Sequence, residues 1–211
     1  MVPSKESEPR MSTATIQNRP AISLHPEREA RATNYVGMIL ALASWTMMFG
    51  GLFYSYGLIR VRSIAWPPPG VPETPVVIPT LITVLLIASS LALNVARKKL
   101  RAGDETLFRR LVMSSIVLGI VFIALQSQVW VDLWYGGLTL GAGAYASLFY
   151  FLTAFHALHV LVGLGVLGWA YVAAPRSASP VTRDARVHLS AMFWHFVAIV
   201  WLIIYVLVYL F

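Results

Sequence analysis

Five long apolar runs alternate with polar, proline-rich or arginine-rich stretches along the 211 residues. They cover about 35–57, 76–96, 111–131, 148–171 and 187–210. At 1.5 Å of rise per residue, each is long enough to cross the roughly 30 Å hydrocarbon core of a bilayer. The pattern predicts an all-α integral membrane bundle of five transmembrane helices over residues 34–211. Residues 1–33 are polar and mixed in charge. They predict a mostly disordered arm with a short helix near residues 25–32. The arm has no apolar run of the signal-peptide kind, and its acidic residues argue against an organellar transit peptide.

The fourth run organises the rest. It has no charged residue beyond what His156 and His159 carry, with Gly163 four residues further on. At about 100° per residue these three share one face. Imidazoles are costly in lipid, so that face should point into protein, with Gly163 admitting a close neighbour. The first run ends in Phe53, Tyr54 and Tyr56, which suit a lipid–water interface. The loop after it contains Trp66-Pro-Pro-Pro-Gly70, and three consecutive prolines cannot continue a helix. Ser115 and Gly119 put a small-residue face on the third run, and Trp194, Ala198, Trp201 and Tyr205 form a stripe on the last.

Composition sharpens the class. The chain is 58% hydrophobic and only 12% charged, against about 25% charged in ordinary soluble domains. Cysteine is absent, which excludes disulfides and thiolate metal ligands. The net charge of +7 does not mark a nucleic-acid surface, because the basic residues lie in the arm and loops. All Lys and Arg residues except Arg60 and Arg62 fall on the N-terminal side of the bundle. The positive-inside rule therefore puts the N-terminus in the cytoplasm and the C-terminus outside.

Candidate chemistry is sparse. No Asp or Glu lies within a run, so neither a metal site nor a self-sufficient proton relay is indicated. His156 and His159 share one face and cannot sandwich a haem, although His159 with His195 from another helix could. The ordinary reading is that each histidine bonds within the bundle or meets a lipid headgroup. Aromatic stripes are likewise more often packing than cofactor boxes.

Several stretches resemble subunit III of the haem–copper oxidases, the cytochrome c and quinol oxidases, in its shorter bacterial form with five spans. Phe151-Leu-Thr-Ala-Phe-His-Ala-Leu-His-Val160 with Gly163 is similar to the family's Thr-Gly-x-His-x-x-His-Val pattern. Trp194-His-Phe-Val-Ala-Ile-Val-Trp201 resembles its Trp-His-Phe-Val-Asp-x-Val-Trp. Trp66-Pro-Pro-Pro-Gly70, the Ser89-Ser90 pair, and Gly119 with Gln126 follow in matching order. Two positions depart from the pattern: Trp45 stands where the family has a glutamate, and Ala198 where it has an aspartate.

The resemblance implies a non-catalytic accessory subunit with no cofactor of its own. Haem and copper would reside in partner subunits, chiefly catalytic subunit I, and phospholipid would bind between helices. The location implied is the bacterial inner membrane. Loss of both carboxylates favours a structural and lipid-binding role over proton handling. His156, His159, Gly163, Trp194, His195, Trp201 and Trp66 become candidates for helix contact or lipid binding. Alternatives from the residues and this divergence are a haem-bearing electron carrier, a transporter or assembly protein, and an accessory subunit of a nitric oxide reductase.

Overall fold

The computed structural model describes residues 26–72, 74–172 and 180–210. Five helices account for most of them: α1 Pro26–Arg62, α2 Val77–Arg101, α3 Glu105–Tyr135, α4 Ala144–Val172 and α5 Pro180–Ile204. α5 runs on through a wider π-helical turn, Tyr205–Leu210. All five are long and apolar enough to cross a membrane, and no strand occurs among the described residues. Most of the arm expected over residues 1–33 lies outside the described residues, while residues 26–33 belong to the first turns of α1.

The helices outrun the apolar stretches because charged residues extend them. Arg97–Arg101 stays helical at the end of α2, where cations complement the C-terminal end of the helix dipole. Asp104 then caps α3, its carboxylate accepting from the Leu107 N–H at 3.1 Å. The basic stretch between the second and third spans thus shrinks to a turn at Ala102–Asp104, in which Gly103 takes φ +79°.

α2, α3, α4 and α5 form a closed ring in which each helix packs on the next and α5 returns to α2. α1 lies outside it, against α5 and α4. Half of the most apolar window of α5 is buried, against 6% of that in α1, so α5 is the hub and α1 the periphery. Trp45 and Phe49 make the attachment, packing edge-on against Phe193 and His159, with Phe49 tilted against Phe155.

A ladder of polar contacts joins α5 to α2 along their whole shared length. Tyr205 pairs with Thr80, Trp201 with Thr83, Trp194 with Ser89, and His195 with Ser90 and Asn94. At one end Asp184 receives both Arg97 and Arg101. Each rung contributes about 0.6 kcal/mol in a membrane setting, so the ladder sets register more than it supplies stability. α2 and α3 make the tightest hairpin: Ser89 and Ser115 donate to each other's backbone carbonyl at 3.2 and 3.0 Å.

Candidate functional site

Trp194 is the centre of the ring. It is fully buried and its indole N–H donates to Ser89 Oγ at 2.9 Å. A Cβ placed on Gly119 would fall 2.6 Å from Trp194 Cη2, and one on Gly163 would fall 2.9 Å from Cε3. The indole of α5 therefore lies where glycines of α3 and α4 leave room, while a serine of α2 accepts the hydrogen bond from its N–H. Gly163 and Trp194, two of the residues singled out from the sequence, come together here. The close neighbour that Gly163 admits is a side chain of α5.

A second layer lies nearer the outer end, taken as the end that carries Arg60 and Arg62. Trp201 donates to Thr83 Oγ1 at 2.8 Å and packs edge-on to Phe122, with ring centroids 4.7 Å apart. His156 lies 5.3 Å from the Trp201 ring and is wholly buried. Above it Trp130 donates to Thr153 at 3.0 Å, and Gln126 Nε2 donates to the Tyr209 hydroxyl at 3.2 Å.

His159 projects from the same face of α4 toward α1. Its Nδ1 lies 2.8 Å from the Phe155 carbonyl, and its ring meets Trp45 edge-on at 5.3 Å. An aromatic ring thus covers His159 from the position where the sequence comparison expects a carboxylate. Ala198, the other such position, is buried in the apolar core. His195 stands apart from this cluster, in the ladder to α2: Nδ1 bonds Ser90 and Nε2 meets Asn94 Oδ1 at 2.9 Å. Both of its nitrogens are engaged, so it offers none to an iron, and a His159–His195 haem pair has no support in this geometry. Among the described residues, no three His, Asp or Glu side chains come together as a metal-binding group.

Trp66 belongs to the outer end. The loop after α1 folds back so that its indole donates to the Tyr56 hydroxyl at 3.2 Å and sits edge-on between Tyr56 and Tyr145. The opposite end is cationic. There Arg183 pairs with Glu105, Arg109 covers the Tyr171 ring at 5.2 Å and Arg186 covers Trp169 at 5.5 Å. An open apolar groove of about 680 Å³ runs between the outer ends of α3 and α4, lined by Trp134, Leu140, Leu148, Tyr150 and Phe151.

Sequence reasoning passed over Thr83, Asn94, Asp184 and Tyr209. Each was an isolated small or polar residue whose partner lies tens of residues away. The one available signal was the spacing of Thr80, Thr83, Ser90 and Asn94, which recur at helical intervals on α2.

The arrangement uses its indoles and most of its histidines to lock helices together. A family model described as cytochrome c oxidase subunit III matches residues 22–211. A protein of Thermostichus vulcanus named cytochrome c oxidase subunit 3 is 32% identical over 195 residues, covering 90% of this chain and 93% of that protein. Its namesake in Synechocystis is 33% identical over 176 residues, with 82% and 74% covered. The namesake in Bos taurus is 31% identical over 179 residues, with 82% and 67% covered. The chain belongs to the cytochrome c oxidase subunit III family.

Proposed function

We propose that this chain is the cofactor-free subunit III of a bacterial haem–copper oxidase. It packs beside catalytic subunit I in the plasma membrane and supports that subunit structurally. The observation that carries this reading is the use made of the candidate ligands. His195 is bonded at both nitrogens, His159 is bonded to its own helix, and the indoles of Trp194 and Trp201 are committed to α2. With the family assignment, this leaves the oxygen chemistry to a partner.

The lopsided distribution of Lys and Arg supports a cytoplasmic N-terminus and an outward C-terminus. The apolar groove between α3 and α4 and the exposed side of α1 support contact with lipid tails or a neighbouring subunit. Trp45 and Ala198 in place of carboxylates favour a supporting role over proton transfer by this chain.

The test is affinity purification of the tagged chain from its native membrane in mild detergent, followed by mass spectrometry. A haem–copper catalytic subunit recovered in equal amount is expected. Recovery of the chain alone, or with a transporter in its place, would overturn the reading. Substituting His159→Ala should loosen the association without moving the haem bands of the complex, because the ring packs against α1 and its Nδ1 meets the carbonyl of its own helix.

A further inference from the structure

Three polar atoms deep in the ring have no protein partner. Both ring nitrogens of His156 and Oε1 of Gln126 are buried and make no hydrogen bond. The two residues are 0% and 1% exposed. A neutral imidazole always carries one donor and one acceptor, and an amide oxygen accepts. Buried groups of this kind nearly always find protein or ordered water.

The atoms lie on neighbouring turns of the bundle. Phe122 of α3 meets the His156 ring edge-on at 5.8 Å, and Gln126 follows one turn later on the same face. One turn further, Trp130 donates to Thr153, which is one turn from His156 on α4. Contacts at Phe122–His156 and Trp130–Thr153 therefore bracket Gln126 between the His156 and Thr153 turns of α4. On the third side stands Tyr209 of α5, which receives the Gln126 amide at 3.2 Å. Its ring is 6.1 Å from Trp201, which itself packs on His156. Phe49, Phe122 and Trp201 wall His156, and Phe149 lies beside Tyr209. An occupant must be small and uncharged, and must both donate and accept.

We propose that His156 and Gln126 hold one or two ordered water molecules between α3, α4 and α5. The water accepts from or donates to the imidazole and donates to Gln126 Oε1, which completes a chain from His156 through Gln126 to the Tyr209 hydroxyl. One water bound in this way satisfies one imidazole nitrogen and Gln126 Oε1, a second reaches the other ring nitrogen, and together they fix the rotation of three helices. The inference concerns this chain alone and stands or falls independently of its place in an oxidase.

The test is water-edited solid-state NMR on the full chain in lipid bilayers, with histidine ring nitrogens labelled and the His156 signal assigned by its loss in His156→Phe. Magnetisation should pass from water to the His156 ring despite its burial. Gln126→Leu and the better-matched Gln126→Met should each remove that transfer while leaving the His159 signal in place. The wild-type spectrum decides even if both variants fold poorly. Absence of transfer to His156 would mean a dry site with the ring N–H facing Phe122 or Phe49, and would overturn the proposal. Transfer that survives both Gln126 substitutions would overturn the bridge.

Discussion

Adding one methyl group at Gly163 or Gly119 should damage the bundle, although alanine is the better helix former. In α4, Gly163→Ala places a Cβ 2.9 Å from Trp194 Cε3 and 3.1 Å from Phe193 Cε1. In α3, Gly119→Ala places one 2.6 Å from Trp194 Cη2 and 2.7 Å from Leu164 Cδ2. Trp194 has little room to withdraw, because its indole N–H is held by Ser89 and the ring is fully buried. Overpacking of this kind costs about 1–3 kcal/mol, which outweighs the gain of up to about 1 kcal/mol in helix propensity.

Gly165 and Gly168 lie on the same helix as Gly163 but have nothing within 4 Å of a built Cβ. Alanine there should be neutral or stabilising. The assay is thermal unfolding of the detergent-solubilised chain, followed by its own tryptophan fluorescence. Less that gain, the net loss is up to about 2 kcal/mol, so at roughly 2–4 °C per kcal/mol for a chain of this size Gly163→Ala should lower Tm by up to about 8 °C while Gly165→Ala does not. The two damaging substitutions strain the same ring, so their double variant should depart from additivity. If Gly163→Ala is as stable as Gly165→Ala, the central position given to Trp194 is wrong.

Other consequences follow from the same contacts. Trp201→Phe removes the 2.8 Å bond to Thr83 but keeps most of the ring, so it should cost about 1 kcal/mol. Thr83→Val should cost nearly as much, and the pair together less than their sum, measured as a thermal double-mutant cycle. Asp184→Asn should destabilise the bundle only modestly, since the partly exposed Arg97 and Arg101 lose the carboxylate they share, and the loss should shrink in high salt. Trp66→Ala should loosen the outer loop on Tyr56 and Tyr145, seen as faster proteolysis after Arg60 or Arg62 with little change in Tm.

The gross fold is legible in the chain because it rests on local properties. Run length and the near absence of charge define each span, and the 100° helical step puts His156, His159 and Gly163 on one side of α4. The partners of those residues are not local. Nothing near Gly119 or Gly163 in the sequence says that one indole from α5 meets both. Ser89 and Trp194 lie 105 residues apart. The stretch between the second and third spans reads as a loop because it is charged, yet Arg97 and Arg101 stay helical to reach Asp184, 87 and 83 residues on. Candidate residues could thus be named early, but their division into a Trp194 layer, a His156–Trp201 layer and the His195 ladder needed the tertiary structure.

The central claim is that this chain supports a redox partner and holds no redox centre itself. The most direct measurement is the optical spectrum of the chain after it has been purified with its oxidase and then separated in stronger detergent. The account predicts that the haem absorption stays entirely with the partner and that the separated chain shows only protein absorbance. A Soret band that travels with this polypeptide would contradict it.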